Sequence, residues 1–452
     1  MATVDIELAN WALDEARRKG ASAAEVLCVT AESLSAGVRM GEVEKLKSSR
    51  ERRLGLRVFC GQSSATSSTA ELERDSLGDF IANTVELARL SAADPWAGLP
   101  DPSMHPKSLP ELRLADPDSG IVTADRALEI ARTAENAALK FDPRMKNSEG
   151  AEFSSGRGQI LFANSQGFSG EYSGTSYTLV VQPIAQDGDA MQQGFWYTSN
   201  RRFGKLEDAE SVGITAARRA IRRLGARKIK TMRAPIVFDP DMAAGLIRSI
   251  VGAASGPALY KGASFLVGQL GKTIAAPGVT IVDDALIPGG LGSKPFDGEG
   301  LPTSRKNVVN KGVLATYLLD CYSARKLGLA PTGNAARSVG EAPGVSTTNL
   351  YLEPGSYTPA QIIGSVKQGL YLTETIGFGV NMVTGDYSRG AGGIWIENGE
   401  LAYPVNEITI AGNLKDMMAG VEMIGNDLNW RSSTVAPTIK IAEMTIAGRG
   451  SA

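Results

Sequence analysis

The order of predicted elements in the first 90 residues is repeated between residues 123 and 224. In the first copy, a helix at 5–19 is followed by a strand at 24–31 and a turn at 40–42. Strands at 53–61 and 62–69 come next, and a second helix at 75–90 ends the copy. The second copy shows the same order, with a helix from the Thr123 cap to 140, strands at 148–155, 158–163, 175–183 and 191–198, and a helix at 210–224. The copies are offset by about 120 to 135 residues and share a pattern rather than identity, which indicates an internal duplication.

The second half begins with a strand at 234–238 and a helix that Asp239 can cap, with Pro240 in its first turn. Beyond this helix, short strands alternate with turns rich in Gly and Pro, and one more helix is predicted at 359–369. We therefore predict an α+β protein whose N-terminal half is a duplicated unit of helices and antiparallel sheet. Its C-terminal half is predicted to be mostly β, with a curved or barrel-like sheet and a few helices. The predicted domains are 1–228 and 234–452.

A single histidine, His105, narrows the chemistry that this chain can perform. Histidine zinc sites, Ser-His-Asp triads and Cys-His dyads all need histidine at the reacting centre. Because His105 lies among four prolines in residues 101–117, we predict a solvent-facing linker residue with no catalytic role. The cysteines Cys28, Cys60 and Cys321 fit neither a zinc spacing nor a disulfide framework, as expected in a reducing compartment.

The formal net charge of −2 disfavours a dedicated binder of nucleic acid or of an anionic membrane. Residues 1–20 lack the basic and apolar regions of a signal peptide, and no apolar stretch is long enough to span a bilayer. The cytoplasm is therefore the expected location. Residues 211–238 contain eight Lys or Arg and no acid, which suggests either a nucleic-acid or phosphate patch or a solvated helix end. Because no aromatic residues are interleaved among the basic ones near 218–233, the solvated helix end is favoured.

Ser323 and Lys326 fit the pattern Ser-x-x-Lys, in which a lysine can activate a serine without histidine. The Ser-Asp-Asn and Lys-Thr-Gly elements that accompany this pattern in known hydrolases are missing, so a plain helix face is favoured. A self-standing hydrolase of unrecognised mechanism stays open as an alternative.

Four blocks of sequence carry a resemblance to a known family, at 38–61, 318–338, 386–418 and 424–429. They resemble the TldD/PmbA family over nearly the whole chain. TldD-type members carry His-Glu-x-x-x-His on a helix of the C-terminal half, together with a late cysteine, and hold zinc. Members of the PmbA kind, also called TldE, lack these ligands.

The matching stretch here starts at Leu246-Ile247 and retains the Val-Gly pair. Arg248 and Ala253 occupy the two histidine positions, and Ser249 occupies the glutamate position. Alanine offers no lone pair, arginine is a fixed cation, and without the glutamate no general base can deprotonate a zinc-bound water. The tail also lacks the cysteine, so the chain is identified as a member of the PmbA kind, with no metal or cofactor of its own.

This resemblance implies a non-catalytic subunit of a heterodimeric zinc peptidase, with the zinc in a TldD-type partner. It implies extended, unfolded peptides as substrates, including leader segments of modified microcin-type peptides, and leaves open a homodimer when the partner is absent. Peptide backbones of this kind pair with strand edges. Glycine-rich edges at Gly289, Gly290, Arg389 and Gly390 are therefore candidate peptide contacts. Older descriptions of the family as modulators of DNA gyrase keep a regulatory role as an alternative.

Overall fold

The computed structural model describes residues 5–118 and 122–449. Residues 1–4 lie outside these ranges; they belong to the N-terminal segment in which the sequence shows no signal-peptide pattern. The helices of the N-terminal half are α1 (Ile6–Arg18), α2 (Arg74–Leu90), α3 (Ala124–Lys140) and α4 (Ala209–Ile221). Its strands are β1 (Ala23–Arg39), β2 (Glu42–Cys60), β3 (Ser63–Thr69), β4 (Met145–Asn164), β5 (Ser169–Asp187), β6 (Ala190–Gln193) and β7 (Trp196–Asn200).

The two copies of the repeat form one seven-stranded antiparallel sheet in the order β3-β2-β1-β4-β5-β6, with β7 also paired to β5. The copies meet at its centre, where Cys28 of β1 lies opposite Leu161 of β4. Helices α1 and α2 cover the first copy and share a core that includes Val26 and Ile81. Helices α3 and α4 cover the second copy around residues such as Phe153. The predicted duplication of a helix-plus-antiparallel-sheet unit is confirmed.

Several strands are longer than their hydrophobic patterns predict. The hairpin β1–β2 continues to its turn at Met40 and Gly41, although β2 starts with a run of exposed residues. Strand β4 is continuous across Gly156, where two separate strands are predicted. Because Gly156 pairs with Ser33 on one side and Ser176 on the other, ladders on both edges hold the strand through its glycines.

The helices of the C-terminal half are α5 (Pro240–Ala253), α6 (Gly256–Tyr260), α7 (Cys321–Leu327), α8 (Pro359–Gly364) and α9 (Leu414–Ala419). Its strands are β8 (Lys230–Phe238), β9 (Ile281–Asp284), β10 (Arg305–Asn310), β11 (Val313–Leu314), β12 (Ala335–Ala336), β13 (Gly344–Val345), β14 (Leu350–Leu352), β15 (Gln368–Ile376), β16 (Asp386–Glu397), β17 (Glu400–Asn413), β18 (Val421–Ile424), β19 (Thr434–Val435) and β20 (Ile439–Arg449).

The larger C-terminal sheet has the order β17-β16-β15-β8-β20-β18. Because β17 also pairs with β20, the strand order returns on itself and the sheet curves like a barrel. The predicted α+β class and the mostly β second half are confirmed. The helix predicted at 359–369 is wrong in its second part: α8 ends at Gly364, and β15 starts at Gln368. Pairing of β15 with both β8 and β16 recruits this segment into the sheet.

The segment that joins the two copies is packed against the C-terminal half. Contrary to the prediction, His105 is half-buried: its Nδ1 lies 3.2 Å from the Gly300 carbonyl and its Nε2 lies 3.0 Å from Asn164 Nδ2. Its ring stacks on Phe168 at 4.7 Å. The prediction failed because prolines indicate irregular backbone, whereas burial of a loop depends on what it packs against. His105 thus ties this segment to both halves.

A buried ion pair also joins the two halves, between Arg337 and Glu25. We retain as a proposal the division into domains 1–228 and 234–452. Among the described residues, no helix is long and apolar enough to cross a membrane.

Candidate functional site

Helix α5 contains Arg248, Ser249 and Ala253, the three positions at which the sequence resemblance places the family's metal site. The Asp239 side chain caps the helix by accepting from the Asp241 N–H at 3.2 Å, and Pro240 occupies the first turn. The buried face, which includes Leu246, Ile247, Ile250 and Val251, packs into the core of the C-terminal half. The opposite face of α5 is accessible to solvent and includes Arg248.

The three positions have unequal surroundings. Arg248 is exposed, and its guanidinium makes no hydrogen bond or ion pair within the described ranges. Ser249 donates its hydroxyl to the Gly245 carbonyl at 3.1 Å, and Ala253 is fully buried. A guanidinium, a hydroxyl committed to its own helix and a buried methyl group do not fit a zinc ion. In the part of the chain that the structure describes, no group of three or more His, Cys, Asp and Glu side chains could hold a metal ion.

A cavity of about 340 Å³ lies beside the exposed face of α5, where the two halves meet. We call it the arginine cavity, because Arg248, Arg219, Arg222 and Arg223 line it. Its remaining walls come from β15, from α5 itself and from the loops around Phe195 and Ser432. The C-terminal end of α4 therefore points its basic residues at the exposed face of α5 that carries Arg248.

Carboxylates neutralise only part of this positive charge. Arg223 forms an ion pair with Glu374, and Arg219 lies 3.7 Å from both Asp239 and Asp241. Asp241 also contacts Arg431 Nη2 at 3.3 Å. Arg431 is 7% exposed and lies over the Trp196 ring at 3.7 Å, while Arg219 lies over the same ring at 4.9 Å. Both guanidiniums thus lie against one aromatic face, which helps to hold them in place.

Three buried guanidinium nitrogens near the cavity have no hydrogen-bond partner in the part of the chain that the structure describes: Nε of Arg222 and both Nε and Nη1 of Arg431. Burial, together with the neighbouring Arg219 charge, lowers the pKa of Arg222. Burial raises the pKa of Asp241, against the opposing effect of Arg431. A buried donor without an acceptor costs about 1–3 kcal/mol of folding free energy. The unpartnered guanidinium nitrogens therefore destabilise this region of the folded chain.

The prediction of a solvated helix end for residues 218–233 is wrong for Arg219, Arg222 and Arg223, which are half-buried at the cavity. Arg218 is exposed, as predicted, and lies over Phe141. The prediction failed because the acids that face these arginines lie outside the basic segment: Asp239 and Asp241 follow it at the start of α5, and Glu374 lies on β15. The aromatic partner, Trp196, precedes the segment and is therefore not interleaved with its basic residues.

Gly289 and Gly290 line a second cavity of about 410 Å³, together with Trp430 and Ser432. We call it the Trp430 cavity; it adjoins the arginine cavity, because Ser432 lines both. The N–H groups of both glycines are used within the chain, donating to Leu112 and Ile287 at 2.7 and 3.0 Å. The Gly290 carbonyl also accepts from Arg201 Nε at 2.8 Å, so most of the backbone hydrogen bonds at this loop are made within the chain.

Arg389 and Gly390 lie on β16, apart from the Gly289 loop. Arg389 donates from Nε and Nη2 to the Gly377 carbonyl at 3.1 and 2.8 Å, and Gly390 pairs with Ile376 and Thr409. Gly390 is thus an interior position of a paired strand, with a neighbour on each side. Contact of these two residues with a peptide stays a proposal.

Family models match three consecutive parts of the chain. They are described as PmbA/TldA metallopeptidase domain 1 at residues 24–88, central domain at 117–224 and C-terminal domain at 231–448. The chain belongs to the PmbA/TldA metallopeptidase family. The resemblance inferred from the four sequence blocks, including the PmbA kind, is confirmed.

Relatives match over nearly their whole length. Metalloprotease PmbA of Escherichia coli O157:H7 is 38% identical, over 98% of this chain and 96% of that protein. A Bacteroides thetaiotaomicron protein proposed to modulate DNA gyrase has a crystal structure with 30% identity and a TM-score of 0.92, over 99% and 100% of the two chains. TldE from Thermococcus kodakarensis, at 20% identity, has the same fold, with a TM-score of 0.89 over 98% and 100%.

Outside the PmbA/TldA metal-site region, the Ser323 and Lys326 pair behaves as the plain helix face that was favoured. Ser323 is fully buried, and its hydroxyl bonds to Asp320, the residue that caps α7. The Lys326 ammonium lies 5.0 Å from the ring centroids of both Tyr260 and Tyr322. These contacts give the serine a capping role and place the lysine on an aromatic surface.

A second group of buried charges lies behind the Gly289 loop. We call it the carboxylate cluster, and its members are Asp283, Lys294, Asp297, Glu299 and Lys306. Asp297 accepts backbone N–H bonds from Glu299 and Leu301 at 2.9 Å and from Ala335 at 3.0 Å. Glu299 accepts from the Cys321 N–H at 2.8 Å, and burial raises the pKa of Glu299 to about 8. The cluster fixes loops to one another through the backbone.

Proposed function

We propose that this chain is the non-catalytic subunit of a heterodimeric TldD/TldE-type zinc peptidase, with the metal held by a TldD-type partner. In this proposal the chain acts in the cytoplasm, completes the chamber around an unfolded peptide and contributes no metal ligand. Degradation of unfolded peptides and removal of leader segments from modified microcin-type peptides would be its biological roles.

The observation that carries the proposal is the condition of α5. The helix keeps its cap, its buried face and its place in the core, while the three chemical positions are Arg248, Ser249 and Ala253. A chain that retains the whole family fold but replaces donors with a cation, a hydroxyl and a methyl group fits a structural or binding role in a shared site. Its relatives are named metalloproteases, which supports peptides as the substrate class.

The test is a mixing experiment with an unstructured fluorogenic peptide. Hydrolysis is measured for this chain alone, for a TldD-type subunit alone and for the two together, each with and without a chelator. An unrelated protein added to the TldD-type subunit at the same concentration controls for nonspecific stabilisation. Sedimentation of the same samples reports whether a heterodimer forms or whether this chain alone forms a homodimer.

We expect activity that needs both subunits, is abolished by the chelator and returns with zinc. Full activity of the TldD-type subunit alone, with no change on mixing, would remove the proposed role. Strong activity of this chain alone would show instead a self-standing hydrolase and would return attention to Ser323 and other sites.

The alternative of a DNA gyrase modulator is supported by the role proposed for the similar proteins from Bacteroides thetaiotaomicron and Thermotoga maritima. The basic segment gives it little help, because Arg219, Arg222 and Arg223 line the arginine cavity rather than an open surface. Lys228 is also paired, with Glu407 at 2.9 Å. Inhibition of gyrase supercoiling by the purified chain, or tight and strongly salt-dependent DNA binding, would favour this alternative.

A further inference from the structure

We propose that the arginine cavity binds the carboxylate of an extended peptide, with Arg222 and Arg248 donating to its oxygens. The inference deepens the proposed function, because it names the chemistry by which this subunit would hold a peptide. It rests on that function for its biological role, while the binding itself is a property of this chain alone.

The first argument is the charge at the site. The guanidiniums of Arg219, Arg222, Arg223 and Arg248 line the cavity. The neighbouring carboxylates pair with other members of the group: Asp239 with Arg219, Asp241 with Arg219 and Arg431, and Glu374 with Arg223. After the ion pairs are formed, Arg222 and Arg248 have no carboxylate partner within the described ranges. Like charges held together in a partly buried site attract an anion, and its binding relieves their mutual repulsion.

The second argument is the unused hydrogen-bonding capacity. Arg222 and Arg248 both line the cavity, and neither guanidinium donates to an acceptor among the described residues. The unpartnered nitrogens of Arg337 differ, because that guanidinium already pairs with Glu25 inside the fold. A carboxylate presents two oxygens in one plane and can accept from a guanidinium in bidentate fashion, which matches the missing partners.

The third argument is the space around these groups. The arginine cavity holds about 340 Å³, and the adjoining Trp430 cavity holds about 410 Å³. An extended chain rises about 3.3 Å per residue, so a peptide anchored in the first cavity would run into the second. Arg113, Arg202 and Lys205 line this second cavity, so further carboxylates along the peptide would also be favoured.

The test is isothermal titration calorimetry of the full-length chain at low salt. The probes are an acetylated five-residue Ser/Ala peptide with a free C-terminal carboxylate, the same peptide as its C-terminal amide, and inorganic phosphate. The variants are Arg248→Ala, Arg248→Lys and the matched control Arg218→Ala, which removes an exposed arginine outside the cavity lining.

We expect the acid to bind at least tenfold more tightly than the amide, and Arg248→Ala to weaken binding of the acid by at least tenfold. Arg248→Lys should keep part of the affinity, because it retains the charge but not the planar fork. Arg218→Ala should bind like the unmodified chain.

Equal binding of acid and amide, equal effects of Arg248→Ala and Arg218→Ala, or binding of phosphate alone would overturn the proposal. Absence of binding by every probe would overturn it as well. None of these results changes the mixing experiment, which reads hydrolysis by the two subunits. Failure of the carboxylate site is therefore distinguishable from failure of the proposed function.

Discussion

The carboxylate cluster and the arginine cavity both gather charged side chains inside the protein. They differ in how many of those charged groups have hydrogen-bond partners within the chain. In the first, backbone N–H groups supply the donors, as the three bonds to Asp297 illustrate. In the second, Arg222 and Arg431 keep buried nitrogens without partners, and Arg248 has no partner at all among the described residues. A satisfied cluster stabilises a fold, whereas an unsatisfied one is stabilised further by a ligand.

The strongest test of this contrast removes the acceptor at the centre of the carboxylate cluster. We expect Asp297→Ala to lower the free energy of unfolding by about 3–5 kcal/mol, because three backbone donors lose their acceptor. Urea unfolding measures the change. The exposed Asp189→Ala is the control, and an equally small effect of both variants would break the comparison.

The pH dependence of stability should also come largely from this cluster. Burial raises the pKa of Glu299 to about 8, from the ordinary value of 4.5. Between these values the folded chain holds a proton that the unfolded chain releases, so the free energy of unfolding falls as pH rises. The expected contribution is a slope of up to about 1.4 kcal/mol per pH unit.

Glu299→Gln should remove this slope, while leaving stability below the ordinary carboxyl range nearly unchanged. The measurement is urea unfolding of both proteins at intervals from pH 4 to pH 8. Glu400→Gln, at an exposed position, serves as the control. Parallel curves for the unmodified chain and Glu299→Gln would show that the Glu299 proton is not linked to folding.

The arginine cavity should respond in the opposite sense. Replacing a half-buried, unsatisfied cation by an apolar chain of similar length removes a desolvation cost, so Arg222→Met should raise stability by about 1 kcal/mol. The same variant should weaken binding of the carboxylate peptide. Thermal unfolding with calorimetric titration tests both effects, and a marked loss of stability would show that Arg222 is structural.

The smallest effect on stability is expected at Arg248. Because its side chain is exposed and unpartnered, Arg248→Ala should change the free energy of unfolding by no more than about 0.5 kcal/mol. Urea unfolding beside Arg218→Ala checks this. A loss of stability comparable to that of Asp297→Ala would show that Arg248 supports the fold as Asp297 does, and that the two sites do not differ in their contribution to stability.

Much of the fold could be predicted from the sequence because its signals are local. Apolar spacing predicted α1, caps predicted α3 and α5, and repetition of the order predicted the duplicated sheet. Prediction from local sequence failed where pairing with a neighbouring strand decides the structure of a segment that has no hydrophobic pattern of its own. The polar first part of β2 has no buried face, yet it pairs with β1 along its whole length.

The candidate site divides in the same way. The replacements at Arg248, Ser249 and Ala253 could be read from the chain, since a motif on one helix needs only its own residues. The arginine cavity could not, because Arg222 at the end of α4, Glu374 on β15 and Arg431 near the C-terminus are brought together only by folding.

The sequence by itself determined which family fold the chain adopts and which chemical groups α5 carries, because both depend on residue identity along continuous segments. Only the tertiary structure decided that basic residues at the end of α4 face α5 rather than water. It also decided that His105 ties the joining segment to both halves. Burial and charge pairing are properties of neighbours in space, and most of these neighbours are more than 100 residues apart in the chain.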